Sequence, residues 1–179
     1  MTIETLARQG NAESHGGLAG MDIAKLSQLR NEQMKNCFRH FDTTPHRLEY
    51  VAKIGGTEFI NDAAARNVSA TWYSLDNIDG PVVWIAVGSS KKENYSMLRQ
   101  VVQQKVRVLI CVGDHIDQLM SDFTSLIPVV EEAFTVEEAV HKAYYNQAEV
   151  RKVIFSPACD CGIANKHIGE RYCNEINEL

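Results

Sequence analysis

The sequence has no run of Lys and Arg, and its formal net charge of −5 argues against a general nucleic-acid binder. No apolar stretch approaches the ~20 residues needed to cross a bilayer. The N-terminus, Met1-Thr2-Ile3-Glu4, lacks the basic-then-apolar order of a signal peptide. The five cysteines are odd in number and unevenly spread, which fits a reducing cytoplasm better than a disulfide framework. There is no internal repeat, low-complexity tract or long linker, and no Ser/His/Asp or Cys/His nucleophile arrangement is identifiable from residue order. What remains is ordinary for a globular chain: 45% hydrophobic and 23% charged residues in 179, enough to bury a substantial core in one domain or one domain with an appendage.

Residues 1–17 are polar and Gly-containing and read as a loosely packed start. Helix formers dominate from Leu18 to Phe41, where Met34, Cys37, Phe38 and Phe41 make one apolar stripe, and Thr43-Thr44-Pro45 ends that segment. The pattern predicts a helical appendage over 1–44 and an α/β domain over 45–179. In the latter, Leu48, Tyr50, Ala52 and Ile54 alternate with polar or outward positions, as in a half-buried strand. Gly55-Gly56 links it to Thr57-Glu58-Phe59-Ile60 as a hairpin. A helix follows from Val68 (Val68, Trp72, Leu75), and Val82–Val87 is a continuously apolar strand. Then come a helix over Tyr95–Gln104 capped by Asn94, a strand over Val106–Val112, and a helix capped by Asp114. A short strand over Leu126–Val130, a helix opened by a Thr135/Glu138 capping box, a strand over Val150–Phe155 and a helix over Ile163–Ile176 complete the pass. Alternation of this kind predicts a doubly wound, mostly parallel, Rossmann-like sheet with an N-terminal hairpin strand and flanking helices. Ligands in such sheets sit beyond the carboxyl ends of the strands, which nominates Asp62, Lys91, Asp114 and Ser156. The turn Phe59–Val68 stands out, because a strand running through a polar turn into a helix is a natural anion site, yet it carries Ala63, Ala64 and Ala65.

Four segments occur in a recognisable order: His46-Arg47-Leu48-Glu49, Phe59-Ile60-Asn61-Asp62, the Gly88–Lys91 loop and Ser156-Pro157-Ala158-Cys159. In order and spacing, roughly over residues 18–175, the chain resembles the third, C-terminal domain of the Mur ligases of peptidoglycan synthesis, preceded by the last helices of their central domain. That family joins an amino acid to a UDP-sugar acceptor through an acyl phosphate, using ATP and magnesium held by a central-domain P-loop. No G-x-x-x-x-G-K-S/T occurs in these 179 residues, and no UDP-sugar domain either.

The resemblance implies roles residue by residue. Arg47 matches an arginine reaching toward nucleotide phosphate, and Asp62 and Asn67 match nucleotide-facing positions. Lys91 matches a lysine that pairs with the substrate carboxylate, Ser156 a substrate-side serine, and Arg171 an arginine of the last helix. The family's NDSKATN, however, reads Asn61-Asp62-Ala63-Ala64-Ala65-Arg66-Asn67 here, and its G-G-x-D-K-G reads Val87-Gly88-Ser89-Ser90-Lys91-Lys92. A lysine, a threonine hydroxyl and an aspartate are thereby lost, and Asp160 adds a negative charge beside the Ser156 segment. An intact fold with an altered site implies a binding or regulatory module that does not catalyse ligation alone and takes a small acidic ligand or a nucleotide. Two other readings stay open. One is a split-ligase component docking on another protein that supplies the remaining Mur ligase domains. The other is a metal-binding or structural protein, since Cys159, Cys161, His167 and Cys173 are chemically suited to zinc.

Overall fold

The computed structural model describes residues 45–145, 150–160 and 164–179, all within the second of two compact units, residues 40–179. The expected appendage over 1–44, with its Met34–Phe41 stripe, and Cys161 lie outside the described residues. In chain order the elements are β1 (Glu49–Ile54), β2 (Thr57–Asn61), α1 (Val68–Asn77), β3 (Val82–Val87), a 3₁₀ turn (Tyr95–Leu98) and α2 (Arg99–Lys105). They continue with β4 (Val106–Val112), α3 (Asp117–Phe123), β5 (Val129–Ala133), α4 (Val136–Tyr145), β6 (Lys152–Phe155) and α5 (Ala164–Glu178).

The six strands lie in the order β1-β2-β6-β3-β4-β5. Only β1 and β2 pair antiparallel; β2–β6, β6–β3, β3–β4 and β4–β5 are parallel. The chain runs outward from β3 to β5, then returns to insert β6 beside β3, which is the doubly wound α/β arrangement expected from the sequence. At the hairpin both Gly55 (φ 57°) and Gly56 (φ 88°) are left-handed, the backbone a two-residue primed turn needs.

Every residue of β3 is buried, because helices cover both faces of the sheet. Val83, Ile85 and Val87 face a core shared with Val140 and Ala143 of α4 and with Tyr172 and Ile176 of α5. On the alternate face Trp84 meets Phe123 of α3 edge-on, ring centroids 5.5 Å apart. No helix among the described residues is long and apolar enough to cross a membrane.

Three local expectations are corrected. The strict alternation of β1 fails at a register shift between Tyr50 and Ala52, so Val51 and Ala52 both pack toward the core while Tyr50 is exposed; such a bulge sets two residues against one. The short strand is Val129–Ala133, not Leu126–Val130. The helix after β4 starts at Asp117 without a side-chain cap, and Asp114 is exposed in the preceding loop. The other caps hold: Asn94 accepts from Ser96 N, and Thr135 Oγ1 accepts from Glu138 N at 3.2 Å.

Arg171 lies on α5 and donates to both carboxylate oxygens of Glu137 on α4, at 2.6 Å each. That hydrogen bonding holds the Glu137 carboxyl below its ordinary value. A depressed carboxyl contributes stability that is present above the ordinary carboxylate range and is lost as pH falls through its folded value. Both side chains are partly exposed, so the contribution is small, about 0–1 kcal/mol. Glu137→Gln should therefore lower stability slightly at neutral pH and flatten the acid limb of the curve, which urea unfolding at a series of pH values measures.

Candidate functional site

The carboxyl end of β2 carries Asn61 and Asp62, and period two sends their side chains into different surroundings. Asp62 is fully buried. One of its oxygens accepts from Arg47 Nη1 at 2.6 Å and from Leu48 N at 3.2 Å; the other accepts from Ser156 Oγ at 2.8 Å. Arg47 is itself 5% exposed. Its second guanidinium nitrogen donates to the Ala70 carbonyl at 3.2 Å, and its carbon lies 5.6 Å from the Tyr73 ring centre. Ser156 Oγ also pairs with Thr71 Oγ1 at 2.8 Å. Burial pushes the Asp62 carboxyl upward, while the Arg47 charge, the Ser74 and Ser156 hydroxyls and the Leu48 N–H pull it back.

The backbone goes to some trouble to build this cluster. His46 (φ 60°) and Leu48 (φ 46°) are both left-handed, which non-glycine residues sustain only when the surroundings over-determine them. The kinked segment swings the Leu48 N–H onto Asp62, and the His46 carbonyl accepts from Ala64 N at 3.0 Å. Beyond the ends of β6 and β3 the parallel ladder is continued by backbone bonds from Ser156 N to Ile85 O and from Val87 N to Pro157 O.

Of the residues nominated from sequence, Arg47, Asp62 and Ser156 are thus brought together, but as partners of one another inside the protein. Asn67 is the N-cap of α1, its side chain accepting from Ala70 N at 2.8 Å, and it is exposed. Ala63 is buried against α5, where a Cβ at Gly169 would lie 2.8 Å from its own Cβ. Lys91 stands apart in the exposed loop after β3. With Ser89, Lys92, His115, Asp117 and Gln118 it lines a shallow cleft of about 240 Å³. Ser89 Oγ accepts from Lys91 N at 3.2 Å, bending the loop over the cleft. His115 and Gln118 escaped the sequence reading because they belong to the loop after β4 and the start of α3 and are juxtaposed with Lys91 only by the fold.

Gly88 makes that juxtaposition: a Cβ there would lie 2.6 Å from the His115 carbonyl carbon and oxygen. Backbone cannot move aside cheaply, so Gly88→Ala should cost about 1–3 kcal/mol and push the two cleft loops apart, as thermal unfolding would register.

The described members of the sequence's cysteine and histidine group, Cys159, His167 and Cys173, have separate neighbours. Cys159 is buried and its thiol donates to the Val87 carbonyl at 3.5 Å. His167 is exposed and lies 3.5 Å from Glu170. Cys173 accepts from Asn61 Nδ2 at 3.2 Å.

Among known proteins, no family model matches the chain. Individual relatives do. The chain is 33% identical over 159 residues to the UDP-N-acetylmuramoylalanine--D-glutamate ligase of Christiangramia forsetii, covering 89% of this chain and 36% of that protein. It is 31% identical to the enzyme of the same name from Bacteroides fragilis, over all of this chain and 41% of that protein. In fold it is similar to a bifunctional folylpolyglutamate synthase/dihydrofolate synthase from Yersinia pestis, with a TM-score of 0.51 at 18% identity, over 76% of this chain and 32% of that one. The chain spans little more than a third of the length of the ligases it matches in sequence. Within that span it is homologous to the UDP-N-acetylmuramoylalanine--D-glutamate ligases.

Proposed function

We propose that this part of the protein works as a binding or regulatory module of Mur-ligase descent that does not itself carry out ligation. The observation that carries the reading is the closed Arg47–Asp62–Ser156 network. Three of the groups that the resemblance assigns to nucleotide and substrate, on Arg47, Asp62 and Ser156, are engaged inside the protein. The turn beyond them presents alanines where the relatives' pattern has a hydroxyl and a lysine. A donor already bound to a buried carboxylate offers an incoming phosphate little, because releasing it would strand that carboxylate.

The open chemistry lies at the Lys91 cleft instead. Two lysines, a histidine and two serines beside one aspartate suit a small anion such as an amino-acid carboxylate. The volume is below the ~300–1,000 Å³ usual for drug-sized ligands. Calorimetric titration with D-glutamate, inorganic phosphate and ATP–magnesium tests this. Saturable binding of a small anion that Lys91→Ala weakens supports the module. ATP-dependent ligation by the chain as given would sink it.

The match to only about a third of the ligases' length favours a second reading. In it the segment is one part of an ATP-dependent amino-acid ligase whose nucleotide and UDP-sugar domains are supplied elsewhere. A D-glutamate ligation assay that responds to added chain would favour it over the first.

A further inference from the structure

Asn61, next to the Asp62 network but facing away from it, is the centre of a second cluster with unusual hydrogen-bond arithmetic. Its amide oxygen accepts from Ala63 N at 3.1 Å, which fixes which end of the amide is nitrogen. That nitrogen has two hydrogens. It faces four electron-rich groups: His46 Nδ1 at 2.9 Å, Cys173 Sγ at 3.2 Å, and Glu49 Oε2 and the Gly169 carbonyl at 3.4 Å each. His46 Nδ1 has a conflict of its own, because Glu49 Oε2 lies 3.1 Å away. With a proton on Nδ1 the ring can donate to Glu49, but it then points a donor at the Asn61 amide. Without one it can accept from Asn61, but it sets its lone pair against the carboxylate. Neither state of the ring matches both neighbours.

A cation resolves the second conflict: it takes the Nδ1 lone pair and faces the carboxylate charge, and the two Asn61 hydrogens go to the Gly169 carbonyl and Cys173 Sγ. The imidazole nitrogen, carboxylate oxygen and sulfur of His46, Glu49 and Cys173 all lie within 4.8 Å of one another. That is close to the separation of donors that share one ion through bonds of about 2.0–2.3 Å. We propose that His46, Glu49 and Cys173 form a binding site for a divalent transition-metal ion, zinc by the character of its ligands. Mixed nitrogen, oxygen and sulfur donors suit zinc, whereas magnesium and calcium prefer oxygen alone. Asn61 supports the ligands from the buried side. Glu49 is half-exposed, leaving the outer position open to water.

The site ties the start of β1 to α5, which are far apart in sequence. It uses Cys173 with partners different from those that sequence spacing suggested. It does not depend on the Lys91 cleft or on any nucleotide. Among the described residues the other two thiols, Cys111 in β4 and Cys159, are both fully buried.

The test is a cobalt(II) titration of the chelator-treated full chain, followed by absorption, with zinc then added as competitor. A thiolate-to-cobalt charge-transfer band that saturates at one equivalent and is displaced by zinc is expected, and Cys173→Ser should abolish it. Glu49→Gln, a change at a half-exposed side chain, should keep the fold by circular dichroism and raise the cobalt Kd at least about tenfold, the lower end of the loss seen even for groups behind the ligands. Absence of the band overturns the site. So does a band that survives undiminished in Cys173→Ser, or a Kd unchanged in Glu49→Gln.

Discussion

Replacing Arg47 by methionine should destabilise the protein by about 3–5 kcal/mol, the usual result of removing one partner from a buried ion pair. The size follows from what is left behind. Asp62 has no exposure at all, so without the 2.6 Å contact to Arg47 it keeps only neutral donors at a fully buried position. The pH dependence of this loss has a definite sign. Removing the cation drives the folded-state carboxyl further upward, so the folded variant holds a proton that the unfolded chain releases. Stability then falls as pH rises between the ordinary aspartate value of about 3.9 and the raised folded value. The Arg47→Met deficit should therefore shrink toward acid pH. The double variant Arg47→Met/Asp62→Asn, which has no carboxylate to desolvate, should recover part of the loss and lack that pH dependence. Urea unfolding of the variants from acid to neutral pH measures both effects.

The other large effect is at Trp84. Its ring is fully buried in a central strand, packs edge-on against Phe123, and donates its indole N–H to the Ser156 carbonyl at 2.8 Å. Trp84→Ala removes the largest side chain of that face and should cost about 3–5 kcal/mol. Trp84→Phe keeps most of the volume but strands the carbonyl, an effect of about 1–3 kcal/mol. The two variants separate packing from hydrogen bonding. The indole bond also steadies the residue whose hydroxyl meets Asp62, so the core on one face of the sheet and the polar cluster at its end are mechanically joined.

The central strands were legible in the sequence because burial on both faces leaves an unbroken apolar run, as at Val82–Val87. The edge strands were harder. In β5 the pairing residues Glu131 and Glu132 break the apolar pattern, and the apolar run at Leu126–Val130 belongs partly to the preceding turn. At β1 the bulge after Tyr50 inverts an alternation that looked regular. In the site, topology and resemblance drew attention to Arg47, Asp62 and Ser156, and the fold does bring them together. An ion pair from Arg47 to a neighbouring carboxylate, Glu49 or Asp62, was readable in the sequence, and Asp62 is the partner. The rest of the network was not, because the Asp62–Ser156 contact spans 94 residues and the Ala70 carbonyl and Thr71 hydroxyl carry no motif. Nor was the partnership of Cys173 with His46 and Glu49, which only the packing of α5 against the β2 turn creates.

On the proposed reading, the residues that the resemblance assigns to nucleotide, Arg47 and Asp62, act as internal struts. Titration with ATP–magnesium, followed by backbone amide chemical shifts, tests it most directly. The expected result is that Leu48, Asp62, Ala63 and Ala70 keep their shifts, while a small anion such as D-glutamate moves Lys91 and His115. Saturable ATP binding that moves Leu48, Asp62 and Ala70, with the Asp62 network opening to admit phosphate, would contradict it.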